Sequence, residues 1–250
     1  FASDFHLGAP TLEASRTREL RIIRWLDTIK SDAEALYLMG DIFDFWFEYK
    51  HVIPKGYVRF LGKLAELRDA GIPIYFYTGN HDMWVFTYLK EELGIPVFYH
   101  PQSLIIKGKR FYIGHGDGLG PHDKGMKRLK KVFNHKAFHW FFRRFHPNFS
   151  FMIANHWSGT SRKKNLGKTT YYGPTEEWLI LYTEEKVKRD YHDFFIFGHR
   201  HLAIDYTLHN HKSRYINLGE WFSTNSYAVF DGTNMEVRFF ENEAGRLANA

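Results

Sequence analysis

Residues 35–44 read Ala-Leu-Tyr-Leu-Met-Gly-Asp-Ile-Phe-Asp. Five apolar residues in a row are too few for a helix and suit a buried strand. Gly40 ends the run, and Asp41 stands where a strand would aim its carboxyl end. The same layout recurs four times. Phe1-Ala2-Ser3 leads to Asp4-Phe5-His6, and Ile74-Tyr75-Phe76-Tyr77 leads to Gly79-Asn80-His81-Asp82. Arg110-Phe111-Tyr112-Ile113 precedes Gly114-His115-Gly116, and Phe194-Phe195-Ile196-Phe197 precedes Gly198-His199-Arg200-His201. Strand, glycine, metal-capable side chain is the expected layout of a site at the carboxyl ends of sheet strands.

Between these motifs the pattern alternates. Helical periodicity over 13–30 places Leu20, Ile23 and Leu26 on one face. A second helix over 55–70 turns Val58, Leu61, Leu64 and Leu67 inward and stops at Gly71. A short helix is expected over 84–93, and a hairpin over 103–113 turns at Lys107-Gly108-Lys109. Pro174, Glu176 and Glu177 mark the start of a helix over 174–190. After His201 the pattern is strand, with turns at Asn210 and Asp231-Gly232. The expected fold class is α/β: a layered α/β/β/α sandwich with mixed sheets, forming one domain over 1–250. A helical insertion over about 122–170 follows the His115 motif and would overhang the site. The tail from Glu243 reads as a frayed end. The chain opens inside a strand-like run, which implies that a few residues precede it.

Composition narrows the chemistry. No apolar run approaches the roughly 20 residues that span a bilayer. Cysteine is absent, so any metal must take oxygen and nitrogen ligands. The net charge is +6 and is unevenly spread. Residues 124–170 hold twelve Lys or Arg and no acid, leaving 22 bases against 28 acids elsewhere. A solvated face mixes its signs, so such a segment points to a polyanionic partner: phosphate, nucleic acid or anionic lipid.

Mixed Asp, Asn and His at five strand ends suit a two-metal hydrolase. Hydrolysis of a phosphate ester needs water activated, phosphoryl charge neutralised and the leaving oxygen stabilised, and two cations do all three. A carboxylate must bridge cations that repel each other. Asp4, His6, Asp41, Asn80, His115, His199 and His201 supply the ligands, with Asp41 as the bridge. The expected cofactor is a pair of divalent ions, Mn²⁺ first, with Fe, Zn or Mg as alternatives.

The five motifs, in this order over residues 1–201, resemble the calcineurin-like metallophosphoesterases. The resemblance implies one metal on Asp4, His6, Asp41 and His201, and a second on Asp41, Asn80, His115 and His199. It implies that His81 contacts the substrate as phosphate ligand or general acid, oriented by Asp44. Gly40-Asp41-Ile42-Phe43-Asp44-Phe45-Trp46, His115-Gly116-Asp117, the insertion and Asn217-Leu218-Gly219-Glu220-Trp221 are similar to the UDP-2,3-diacylglucosamine hydrolases of lipid A synthesis. That similarity implies cleavage of a pyrophosphate to UMP and 2,3-diacylglucosamine 1-phosphate. Acyl chains would lie between core and insertion, and Ser161, Asn165, Lys168 and Asp123 would contact the substrate. The expected partners are a nucleotide-linked glycolipid and an anionic membrane surface, with the protein cytoplasmic and peripheral to the inner membrane. Two departures stand out: His81 and Ser158 occupy positions where the well-studied branch carries Arg.

Each motif alone has a plainer reading. Asn and Asp favour turns, and His199 and His201 would suit an exposed strand. Asp82 and Asp117 fit loop fixing or support of a ligand histidine. His135, His139, His146 and His156 are not expected as ligands, and the aromatic stripe 138–145 is expected as buried core of the insertion. Two rival functions remain: a nuclease gripping a phosphate backbone with the basic insertion, and a non-catalytic membrane or nucleic-acid binding module.

Overall fold

The computed structural model describes residues 1–120, 124–153 and 170–249, without the side chains of Lys124 and Met126. Two sheets face each other. In the first, β1 (Leu36–Met39), β2 (Ile74–Tyr77) and β3 (Val97–Phe98) run parallel in that order. Ala2 pairs with Leu38 on the free side of β1. Phe1 and Ala228 then exchange backbone hydrogen bonds at 2.9 Å, which joins on the antiparallel pair β9 (Ser226–Phe230) and β10 (Met235–Phe239). The second sheet is mixed. Its members are β4 (Gln102–Ile106), β5 (Lys109–Ile113), β6 (Phe194–Phe197), β7 (Ala203–Thr207) and β8 (Arg214–Leu218), in the order β4-β5-β6-β8-β7.

Period-two alternation sorts the side chains. On β1 and β2, Leu36, Leu38, Ile74 and Phe76 face the helices α1 (Arg16–Ile29), α2 (Val58–Asp69) and α3 (Tyr88–Leu93), meeting Trp25, Phe60, Leu64 and Leu89. Met39 and Tyr77 face the other way, into a core shared with Phe111, Ile113, Phe194, Ile196 and Ile216. On β6 the odd positions Phe195 and Phe197 pack under α6 (Trp178–Arg189), against Leu179 and Ile180. The layers are therefore α/β/β/α, with both sheets mixed or extended as expected.

Several local expectations are corrected. Leu20 is exposed, and α1 buries Arg18, Glu19, Ile22, Trp25 and Leu26 instead. Val58 is exposed and Phe60 takes its place on the buried face of α2. α3 starts only at Tyr88, because the Glu48 carboxylate accepts the N–H groups of Thr87 and Tyr88 at 2.7 and 3.2 Å. α6 starts at Trp178, after a turn over 174–176 whose carbonyl acceptor is Gly173. The tail is tied down as well. Ala248 N–H donates to the Ala203 carbonyl, and the Asn249 amide bonds both backbone groups of Asp205, covering the edge of β7.

The insertion begins with α4 (Lys124–Phe133) and α5 (Lys136–Phe142). Lys130 and Lys127 turn toward the core, pairing with Asp117 and with the Gly120 carbonyl, both at 2.5 Å. Leu129 is exposed, whereas Phe133 packs on Trp84, whose indole N–H donates to the Phe133 carbonyl at 3.0 Å. Of the aromatic stripe, Phe142 is buried and Phe138 and Phe145 are half-buried against Phe45, Phe47 and Trp84. Phe141 turns out to solvent.

Candidate metal centre

The strand ends deliver the metal-capable side chains. β1 and β2 are parallel neighbours, as are β5 and β6, so the residues after Met39, Tyr77, Ile113 and Phe197 emerge on the same edge of the sandwich. Close approach there requires glycine. A Cβ on Gly40 would lie 2.6 Å from His115 Nδ1 and 2.7 Å from the Gly79 nitrogen, and one on Gly79 would overlap the Asp41 carboxylate. The ligands themselves adopt a costly backbone. Asp4, His6, Asp41, His199 and His201 all have φ between 43 and 69°, the left-handed region that non-glycine residues avoid at about 1–2 kcal/mol each.

Three clusters of metal-capable atoms result: Asp4, His6 and His201; His6, Asp41 and His81; and Asp41, His115 and His199. Within each cluster the candidate atoms lie within 4.8 Å of one another. His6 Nε2 is 3.1 Å from His201 Nε2 and 3.7 Å from both Asp4 Oδ1 and Asp41 Oδ2. His115 Nε2 is 3.2 Å from the same oxygen, Asp41 Oδ2. Asp41 thus belongs to two clusters. Asp4 Oδ1, Asn80 Oδ1 and His115 Nε2 are buried without a hydrogen-bond partner among the described residues. Buried polar atoms are ordinarily satisfied, so these orphans, two of which (on Asp4 and His115) belong to the clusters, fit divalent cations.

Other polar atoms are used up in holding the loops. The Met39 carbonyl accepts from His115 Nδ1 at 2.9 Å, which leaves Nε2 as the ligand atom. Asp4 Oδ2 accepts the His199 N–H at 3.0 Å, and Asp41 Oδ1 accepts the His81 N–H at 2.9 Å. The Asp82 carboxylate accepts from Gly79 N–H at 2.7 Å and Ile42 N–H at 2.8 Å, locking the Asn80 loop to the Asp41 loop. Burial and the nearby Asp41 charge push Asp82 up to about 7, against the pull of those amides.

The scan of family models matches residues 1–203 to the calcineurin-like phosphoesterases. A UDP-2,3-diacylglucosamine hydrolase of Porphyromonas gingivalis is 39% identical over 97% of each chain. One from Aeromonas salmonicida is 28% identical over 92% of this chain and 88% of its own. Among solved structures, the E. coli phosphoesterase Yfce aligns with a TM-score of 0.47 and 15% identity, over 98% of this chain and 93% of that one. The chain belongs to the calcineurin-like phosphoesterases.

As a member of that family, the chain is a metal-dependent hydrolase, and the family's divalent ions find matching donors in the clusters above. Electrostatics without cations shows what they must displace. Burial works against charge on His6, but Asp4, Asp44 and Asp41 outweigh it and push His6 up to about 10. His115 is likewise penalised by burial, yet Asp41 beside it pushes it up to about 10. Burial lowers His199 to about 4, helped by the neighbouring His115. Burial also lowers His81, whose Nδ1 lies 2.9 Å from the Asp44 carbonyl.

Some supports escaped the sequence reading. Arg18, in the buried stripe of α1, donates to the Phe5, His6 and Ala9 carbonyls, each at 2.7 Å, and so holds the first ligand loop from behind. The signal was an arginine at a core-facing register. Arg200, between two ligand histidines, donates through Nε to both carboxylate oxygens of buried Glu177 at 2.9 Å and stacks over Trp178 at 4.2 Å. The Asn217 side-chain amide donates to the Gly198 carbonyl at 2.6 Å, and the Trp221 backbone N–H donates to the Asp4 carbonyl at 3.2 Å while its ring packs on Phe5 and Trp25. Asp123, Ser158, Ser161, Asn165 and Lys168 lie outside the described residues, as do Arg162-Lys163-Lys164 and His156.

Proposed function

We propose that this chain hydrolyses the pyrophosphate of UDP-2,3-diacylglucosamine to UMP and 2,3-diacylglucosamine 1-phosphate. The observation that carries it is 39% identity, end to end, with a protein named for that reaction, together with three clusters of metal-capable side chains, two of which share Asp41. Asp4, His6, Asp41 and His201 hold one divalent cation, and Asp41, Asn80, His115 and His199 the other, Mn²⁺ being the ion of choice. Bound there, the cations supply Lewis acidity toward the phosphoryl oxygens and the attacking water.

The chain's own residues do the rest. His81, kept largely neutral by burial, stands beside Asp41 and His6 with Nδ1 fixed on the Asp44 carbonyl. Its other nitrogen is then available to a phosphoryl or leaving oxygen. Asp44 serves His6 too, its Oδ1 lying 3.5 Å from His6 Nδ1. Phe45, Met83 and Trp84, in the loops that follow Asp41 and His81, pack into one buried aromatic core with Phe142 and half-buried Phe138. The lipid substrate is preferred to a nucleic acid on the strength of the 39% identity to a hydrolase named for it. In this reading Ser161, Asn165 and Lys168 would contact the sugar phosphate, with Asp123 a further substrate residue.

The membrane reading is part of the same proposal. Trp140, Phe141, Phe149 and Met152 are exposed on the insertion, flanked by Lys131, Lys136, Arg143 and Arg144. The Arg144 guanidinium lies 4.5 Å over the Trp140 ring. Bare aromatics among cations suit the headgroup region of an anionic bilayer. No helix among the described residues is long and apolar enough to cross one. The proposal puts the protein on the cytoplasmic side, peripheral to the inner membrane. The decisive assay incubates the protein with Mn²⁺ and UDP-2,3-diacylglucosamine. UMP release is expected, and intact substrate after exhaustive incubation would sink the proposal.

A further inference from the structure

Phe222 has no part in the chemistry above, yet its ring centroid lies 5.6 Å from that of the ligand residue His6. It follows Trp221, which is fully buried, and is itself 38% exposed. The loop that carries it is held by one carboxylate. Buried Glu220 accepts the N–H of Phe222, the N–H and hydroxyl of Ser223 at 3.1 and 2.7 Å, and the Thr224 N–H at 2.8 Å. The Arg18 guanidinium sits 4.1 Å over the ring. An apolar ring, backed by Arg18 and still 38% exposed, is therefore fixed beside the metal centre, and its position costs no ordering when a ligand arrives.

The flank matters. The insertion docks on the opposite loops, through Lys130 on Asp117 and through Phe133, Phe138 and Phe142 on Trp84. The proposed substrate carries its nucleoside on the far side of the phosphates from the acyl chains, and Phe222 is an exposed ring beside the cluster that holds His6. We infer that Phe222 is the stacking platform for the nucleoside of the substrate. The inference rests on the proposed function and names a recognition element for it. A base stands one ribose away from its phosphate, a span that matches a ring beside the first cluster. Every base has a π face, and stacking on an aromatic side chain is worth about five- to a hundredfold in affinity.

The test uses the full chain loaded with Mn²⁺ and titrates UMP and inorganic phosphate calorimetrically. Phe222→Ala is expected to weaken UMP about tenfold and leave inorganic phosphate unchanged, and Phe222→Tyr to restore UMP binding. Unchanged UMP affinity in Phe222→Ala overturns the inference. So does an equal loss for both ligands, because the ring would then only support His6. Wild-type protein that releases UMP from the glycolipid alongside either result sinks the platform alone. Wild-type protein that neither releases nor binds UMP sinks the proposed function with it.

Discussion

Asp41 concentrates the demands of the whole site in one side chain. It is buried, sits in left-handed backbone, and lies within reach of His6, His81, His115 and His199. Asp41→Asn keeps the shape and removes half the charge that would hold two cations together. Metal analysis should find at most one cation per chain, and turnover should fall by at least about a thousandfold. Two tightly held cations in that variant would contradict a bridging role. Protons compete for the same atoms. His6 and His115 sit at about 10 in cation-free protein, above their ordinary 6.5. Their contribution to stability is complete below about pH 6.5 and is lost as pH climbs toward 10. Cation-free protein should therefore lose Tm from about pH 7 to about 9. Loaded protein, whose imidazoles ligate in the neutral form, should keep it. Calorimetric scans of the two forms with the same slope would contradict this.

At the scale of elements, α1 does more than cover a sheet. Its Arg18 gives three hydrogen bonds to the carbonyls of the loop that carries Asp4 and His6. Arg18→Met keeps the length and removes the donors, leaving buried carbonyls unpaired. A loss of about 3 kcal/mol in denaturant unfolding is expected. Cation affinity should fall as well, since the left-handed φ of Asp4 and His6 persists only while neighbours enforce it. A variant with wild-type stability would show that the loop holds itself. The strands and their order of ligands were legible because four-residue apolar runs ending in glycine have few alternatives. Helix faces were less legible. Leu20 and Val58 fit a periodic stripe as well as Ile22 and Phe60 do, and only the packing against β1 and β2 selects between them. The start of α3 depended on Glu48, nearly forty residues away, a partner no local window contains.

The molecule as a whole has a polar, metal-capable edge and a cationic, aromatic insertion beside it. If the insertion meets the membrane, replacing Trp140 and Phe141 together by Glu should weaken binding to anionic vesicles at least about tenfold. Cosedimentation measures this, and equal binding by wild type and variant would rule that surface out. Hydrolysis of a water-soluble phosphodiester should be spared.

Local order along the chain already determined the strand-ends, the metal-capable side chains at them and the run of bases over 124–170, because strand length, glycine and side-chain chemistry are properties of short segments. Convergence was decided by the tertiary structure. Residues as far apart as Asp4 and His201 meet at 3.2 Å only because parallel strands of two stacked sheets end on one edge. The buried supports, Arg18, Glu177 with Arg200, and Glu220 under Phe222, belong to the same category. Their partners lie in other elements, and burial alone gives their hydrogen bonds the strength to hold strained ligands in place.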